Sequence, residues 1–118
     1  MEKLNEILKR DKRYKREAYI FVLNAVPFTQ KLLHKEKHIS GKELLSGIKK
    51  LGFRLYGKFA KDVFNAWGIH STTDFGHIVF NLVDVGLLGK QPTDSIEDFK
   101  DEFDFNSGFL DYEIKVKE

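Results

Sequence analysis

The apolar residues in the first third of the chain recur at the spacing of helix faces. Leu4, Ile7 and Leu8 share one edge and predict a short first helix. A longer apolar stripe predicts a second helix, whose core-facing side is formed by Tyr14, Ala18, Phe21, Val22, Ala25, Thr29, Leu32 and Leu33. Pro27 lies within this stripe and has no backbone N–H, so we expect a bend or an interruption between Leu23 and Pro27.

Ser40 marks the clearest helix start in the chain. Glu43 follows three residues later, and this spacing predicts a capping box, in which each side chain accepts a hydrogen bond from the other residue's backbone N–H. The inner face of this third helix is predicted to consist of Leu44, Leu45, Ile48, Leu51 and Leu55. Gly57 is the expected end of the helix.

Two further helices are predicted between Gly57 and Gly86. The apolar side of the fourth is formed by Phe59, Ala60, Val63, Phe64 and Trp67. Gly68 is its expected stop, because glycine accepts the left-handed conformation that often ends a helix. The fifth helix is expected to begin at Ser71–Thr73, and its apolar residues cover most of its circumference, which predicts burial on several sides.

The last part of the chain changes period. Phe103 and Phe105 alternate with acidic residues, Asn106–Gly108 has turn composition, and apolar residues alternate with charged ones from Leu110 to Val116. This pattern predicts a terminal β-hairpin. The helical spacing of Ile96, Phe99 and Phe103 supports one helical turn on the core as the alternative for the start of this region.

The predicted fold class is therefore mainly α, with residues 1–118 forming a single domain. We expect a compact multi-helix domain with a small C-terminal β-hairpin, arranged like a winged helix because the fourth and fifth helices have the order of a helix-turn-helix. A chain of this size can bury on the order of 65% of its unfolded surface without disulfides or metals.

Composition narrows the classes of function. The chain has no Cys, which excludes disulfides, thiol catalysis and Cys-ligated zinc, and which favours a cytoplasmic location. No apolar run approaches the roughly 20 residues that cross a bilayer, and the N-terminus lacks the apolar run of a signal peptide. We therefore expect no membrane partner, and nothing in the sequence indicates a cofactor.

Charge divides the chain into two halves. Residues 1–61 contain 16 Lys and Arg against 6 Asp and Glu, whereas residues 62–118 contain 4 against 12. The halves thus carry +10 and −8, which give the total of +2. Opposite fields of this size predict a basic surface for polyanions and an acidic surface for basic partners, and they favour a two-fold homodimer that pairs the two.

A polar stripe on the predicted fifth helix is the most site-like feature. Asp74, His77, Asn81 and Asp84 fall on one side of the helix, and His70 precedes them. Asp74 and His77 are the catalytic candidates, because a carboxylate beside an imidazole suits proton transfer or a metal ion. The alternative is a wet face with internal hydrogen bonds, including a capping role for Asp74. His34 and His38 are also four residues apart, but we predict no metal site there, since no HExxH pattern is present.

The basic run before the second helix is the candidate nucleic-acid-binding segment. It comprises Lys9, Arg10, Lys12, Arg13, Tyr14, Lys15 and Arg16. The cations suit phosphates and the tyrosine ring suits an exposed base, although such a run is also the ordinary coat of a soluble domain. Residues 62–89 contain no Lys or Arg, so the fifth helix lacks the donors of a DNA-recognition helix.

The segment Asp94–Asp104 combines six acidic residues with Ile96, Phe99 and Phe103. Aromatic anchors among charges are typical of partner surfaces, so this acidic-aromatic segment is a candidate for protein binding. Its rings are equally suited to pack on the domain's own core, with the acids in solvent.

Four stretches of the chain resemble a family of small uncharacterised bacterial proteins. They are AYIFV at 18–22, SGKELL at 40–45, WGIHSTTDFG at 67–76 and DFKD at 98–101. The resemblance implies one compact bacterial domain, and it implies no functional residue because the family has no assigned activity. The residues themselves favour a non-catalytic cytoplasmic interaction module over an enzyme.

Overall fold

The computed structural model describes residues 2–34, 38–89 and 96–99, and within these ranges the chain is mainly helical. The predicted helical class is confirmed. The helices are α1 (Glu2–Arg10), α2 (Arg16–Leu32), α3 (Gly41–Tyr56), α4 (Ala60–Ala66) and α5 (Thr72–Asp84). Two short 3₁₀ helices are also present. Gly57–Phe59 directly follows α3, and Ile96–Phe99 comes after α5.

The core lies where α2 packs along α3 and where α5 covers both helices. Its side chains come from the faces that the apolar periodicity predicts, because residues three and four apart on a helix share a side. Ala18, Val22 and Ala25 of α2 are fully buried, as are Leu45 and Ile48 of α3. Pro27 lies inside α2, and the helix continues through it to Leu32. The interruption predicted there is absent from this described helix, and the bend stays a prediction.

Capping chemistry sets the start of α3 as predicted. The Glu43 backbone N–H donates to Ser40 Oγ at 3.1 Å, and the Ser40 N–H donates to Glu43 Oε1 at 2.8 Å. Two of the N–H groups that lack helical partners are thereby satisfied. This reciprocal pair confirms the capping box.

The turn between α4 and α5 depends on Gly68. Its φ of +94° belongs to the left-handed region, and a Cβ at this position would lie 2.0 Å from the carbonyl oxygen of Arg13. The preceding Trp67 accepts a hydrogen bond from the Lys15 N–H at 3.1 Å. Because only glycine allows this approach, Gly68 brings the α4–α5 turn against the connection between α1 and α2.

The predicted C-terminal hairpin is wrong for the described part of the chain. Ranges 2–34, 38–89 and 96–99 contain no strand, and the alternating residues 103–116 lie outside them. Ile96–Phe99 form the helical turn that was the alternative. Phe99 is fully buried because its ring fits beside two glycines, Gly41 of α3 and Gly76 of α5, where a Cβ would lie 2.9 Å from the ring. The winged-helix arrangement therefore has no wing in the described residues.

Three leucine and phenylalanine positions predicted for the core lie at the surface. The exposed fraction is 37% for Leu32, 55% for Leu55 and 60% for Phe59. Leu32 is the last residue of α2, so little of the molecule extends over it. Leu55 lies at the end of α3, and Phe59 lies in the 3₁₀ turn that begins at Gly57. The apolar face of α3 therefore does not continue past Gly57.

Candidate functional site

The polar stripe of α5 faces the connection between α1 and α2. Asp74 Oδ1 accepts a hydrogen bond from the Tyr14 hydroxyl at 2.5 Å. Asp74 Oδ2 accepts from the backbone N–H groups of His70 at 2.8 Å and Ser71 at 3.2 Å. One carboxylate thus caps the start of α5 and holds Tyr14. The capping role predicted for Asp74 is present.

Asn81 makes the second link from α5 to the α1–α2 connection. Its Nδ2 donates to Asp11 Oδ2 at 2.9 Å and to the Tyr19 hydroxyl at 3.1 Å. Arg13 holds Asp11 from the other side in a bidentate pair, Nε to Oδ1 at 3.0 Å and Nη2 to Oδ2 at 2.8 Å. We call these side chains the polar seam: Asp11, Arg13, Tyr14, Tyr19, Asp74 and Asn81.

Contacts within the seam shift the pKa values of Tyr14, Tyr19 and Asp11. Burial raises the pKa of Tyr14 well above its ordinary value, and the hydrogen bond to Asp74 raises it further. Burial also raises the pKa of Tyr19. The Arg13 guanidinium holds the pKa of Asp11 well below its usual range, although partial burial opposes this. At neutral pH both tyrosines are therefore neutral, with Tyr14 donating to Asp74 and Tyr19 accepting from Asn81, and Asp11 is an anion.

The remaining stripe residues lie at the margin of the seam. Asp84 pairs with Arg10 at 2.8 Å, but both side chains are about half exposed, so the pair contributes little to stability. His77 is half-buried and His70 is exposed. Among the described residues no hydrogen bond joins Asp74 to His77. The stripe residues also line neither of two openings between the helices, one between α2 and α3 and one between α2, α3 and α5. A catalytic role for Asp74 and His77 stays a prediction.

The basic run is partly used inside the molecule. Arg10 and Arg13 pair with Asp84 and Asp11, and Arg16 donates to the side-chain oxygen of Asn5. Tyr14 is 3% exposed, so its ring is not presented to a base. Lys9, Lys12 and Lys15 are exposed. The run thus retains lysines for phosphate contacts, but it lacks the stacking ring that the sequence suggested.

An open groove of about 400 Å³ lies between α2 and α3. We call it the apolar groove and define it by the side chains that line it: Glu17, Ile20, Phe21, Asn24, Phe28, Leu51, Leu55, Tyr56 and Trp67. Ile20 is 41% exposed and Leu55 is 55% exposed. In the described residues these two, with Leu32 and Phe59, are the large apolar side chains left most open to solvent.

Aromatic rings form a rigid base for this groove. Tyr56 meets Trp67 edge to face with ring centroids 5.9 Å apart, and Phe21 lies 5.9 Å from Trp67. Phe64 lies below them, 5.1 Å from Phe21 and fully buried. Because each ring is held by the others, the groove is preformed.

Two cations, Arg54 and Lys58, lie in the last turn of α3 and in the 3₁₀ turn that follows it. The Arg54 guanidinium lies 5.2 Å from the ring centre of Phe28, and Lys58 Nζ lies 5.7 Å from that of the exposed Phe59. Glu17 lines the groove on α2. The groove is therefore apolar along its length, with positive charge beside α3 and its 3₁₀ extension and a carboxylate on α2.

A second cavity of about 420 Å³ lies between α2, the start of α3, α5 and the Ile96–Phe99 turn. Its walls are mostly apolar, and its polar side chains are Gln30, His38 and Ser40. The groove and this cavity share no lining residue.

Sequence periodicity missed the groove because it assigned Leu55 to the core. No local signal distinguishes Leu55 from a core residue: it follows the cation Arg54, but Leu51 follows Lys50 and is buried.

No family model, curated protein or solved structure matches this chain. The resemblance to a family of small bacterial proteins therefore stays a prediction. Across the described ranges, no helix is long and apolar enough to cross a membrane. In the same residues, no group of three or more His, Asp or Glu side chains is placed to hold a metal ion.

Proposed function

We propose that this protein is a non-catalytic interaction module that binds an amphipathic helix of a partner protein in the apolar groove. The observation that supports the proposal best is the exposure of Ile20 and Leu55 on a preformed aromatic base. Contiguous exposed apolar residues with a charged rim are typical of protein-binding sites.

The energetics favour a partner over solvent. Covering a large apolar side chain completely contributes about 1.5–3 kcal/mol, and less for side chains that are already half covered. Ile20 and Leu55 thus supply a few kcal/mol of gross binding energy, on the order of the value for one completely covered side chain. Since the ring contacts fix the groove before binding, the ordering cost falls mainly on the partner.

Charge selects the chemistry of the partner. An amphipathic helix lays apolar side chains at i, i+3 and i+4 into such a groove. Arg54 lies against Phe28, which is at the opposite end of the groove from Glu17 along α2, so Arg54 favours acidic residues at one end of that helix and Glu17 disfavours them at the other. The expected ligand is therefore a helix with an apolar stripe and a cluster of Asp or Glu at one end.

The single tryptophan provides the assay, because Trp67 lines the groove. The probe is a synthetic helical peptide of about 14 residues, with Leu on one face and three Glu at one end. The matched peptide carries Lys in place of the three Glu. We expect saturable Trp67 fluorescence changes with the acidic peptide and affinity at least about tenfold lower with the basic one.

Two variants localise the binding. The double substitution Ile20→Ser and Leu55→Ser should weaken the acidic peptide at least about tenfold, because both side chains line the groove and lose their covered area. Leu32→Ser is the control, since Leu32 is exposed on α2 but does not line the groove. Absence of binding, or an equal loss in Leu32→Ser, would contradict the proposal.

A third arm separates nucleic acid from protein. The probe is a single-stranded oligothymidylate of about 15 nucleotides, titrated at several salt concentrations. We expect no response at Trp67. Binding that depends steeply on salt and is lost in the Ile20→Ser and Leu55→Ser variant would replace the protein partner with single-stranded nucleic acid.

A further inference from the structure

The cavity between α2, α3, α5 and the Ile96–Phe99 turn has the build of a small-molecule site. Six apolar side chains from these four elements surround it: Val26, Leu44, Val79, Phe80, Val83 and Phe99. Small-molecule sites are concave and mostly apolar, with a few polar groups that orient the ligand. This cavity meets each of these conditions.

The polar side chains belong to the end of α2 and the start of α3. Ser40 Oγ accepts the Glu43 N–H, which leaves the hydroxyl hydrogen of Ser40 available as a donor. His38 lies beside it along the chain and is exposed. The polar side of the cavity therefore offers donors to a ligand that carries an acceptor.

Negative charge near these donors decides between a neutral and an anionic ligand. Glu43 Oε1 lies 2.8 Å from the Ser40 backbone nitrogen, so a carboxylate already occupies the start of α3. Asp98 lies close to Gly41, where an added Cβ would be 3.0 Å from the Cβ of Asp98. A carboxylate on the ligand would lie near both of these negative charges, and this repulsion costs binding energy.

We infer that this cavity binds a small neutral apolar molecule with one hydrogen-bond acceptor, such as an amide, ester or ketone, oriented by Ser40 and His38. The volume of about 420 Å³ equals roughly 14 volumes of liquid water at about 30 Å³ each, which suits a ligand of about ten to fourteen non-hydrogen atoms. The inference does not depend on the proposed function, because the groove and the cavity are lined by different residues.

Octanamide and octanoate test the inference on the full chain, because they match in size and differ in charge. Methyl NMR shifts of Val79, Val83 and Leu44 report the cavity, while Trp67 fluorescence reports the groove. We expect saturable methyl shifts with octanamide at a dissociation constant on the order of 1 mM. Octanoate should bind at least about tenfold more weakly at neutral pH, and Trp67 should not respond to either probe.

Three variants complete the test. Val83→Phe fills the cavity and should remove the octanamide shifts, whereas Val63→Phe, at a half-buried site on α4 outside the cavity, should leave them unchanged. Ser40→Asp keeps an acceptor for the α3 cap but removes the hydroxyl donor, so it should weaken octanamide several-fold. No shifts in the full chain, equal binding of the two probes, or shifts that survive Val83→Phe would overturn the inference.

Discussion

Tyr19 and Ile20 are neighbours on α2, yet they belong to regions built in opposite ways. Tyr19 is fully buried and its hydroxyl accepts a hydrogen bond from Asn81 within the polar seam. Ile20 is 41% exposed at the apolar groove. The seam satisfies polar groups that the sequence presented as a candidate active site. In the groove, apolar side chains remain exposed. One of them, Leu55, was assigned to the core by the sequence.

The comparison separates polar side chains that have partners inside the molecule from apolar side chains that remain exposed to water. A carboxylate such as Asp74, with three donors from its own chain, contributes to the fold through those bonds. An apolar side chain that remains in water has no such internal partner, and it gains most from a second molecule. Substitutions in the seam should therefore act on stability, and those in the groove should act on binding.

Gly68→Ala should have the largest effect on the seam. The new Cβ would be placed at positive φ and 2.0 Å from the Arg13 carbonyl oxygen, so the α4–α5 turn must move away from the α1–α2 connection. We expect a loss of roughly 3 kcal/mol in the free energy of unfolding, measured by urea denaturation. Gly57→Ala is the control, because its φ is also positive but no atom lies within 4 Å of the new Cβ. It should cost only about 1 kcal/mol. Equal losses would mean that the turn is not packed on the connection.

Asp74→Ala should follow closely. The substitution removes the acceptor of the Tyr14 hydroxyl and of two backbone N–H groups at the start of α5. We expect a loss of about 2–3 kcal/mol, from the cap and from a buried donor without a partner. Asp62→Ala, at an exposed position in α4, should change stability by no more than about 0.5 kcal/mol. A small effect at both positions would show that the seam contributes little to the fold.

Acid should weaken the seam through Asp11. Because Arg13 lowers the pKa of Asp11 in the folded protein, its contribution is complete above the unfolded-state pKa of about 4 and is lost as the pH falls below that value. The free energy of unfolding should thus decrease with falling pH in this range, and Asp11→Asn should flatten the decrease. Identical profiles for Asp11→Asn and the unmodified protein would contradict the depressed pKa.

The groove should show the smallest effect on stability. Ile20→Ser and Leu55→Ser, at exposed side chains, should each change the free energy of unfolding by about 1 kcal/mol or less. The same double variant should lose peptide binding, which separates the two readouts. A loss of several kcal/mol would assign these residues to the core after all.

Local sequence was sufficient for the helices and their boundaries. The Ser40 and Glu43 capping box, the stop at Gly68 and the buried faces of α2 and α3 follow from interactions within a few residues of the chain. The exposure of Leu55 did not follow, because whether another element covers a helix face depends on distant parts of the chain. The side-chain partners of Asp74 and Asn81 lie 60 to 70 residues away along the chain, so no local pattern could have named Tyr14 or Asp11.

The amino-acid order thus determined the helical class, the helix ends and the set of polar residues on α5, since periodicity and capping are short-range properties. Tertiary packing decided what those residues do. It buried Phe99 beside Gly41 and Gly76, joined the α5 stripe to the α1–α2 connection, and left the groove uncovered. These outcomes depend on which surfaces meet in space, and burial and hydrogen-bond partners are properties of that meeting.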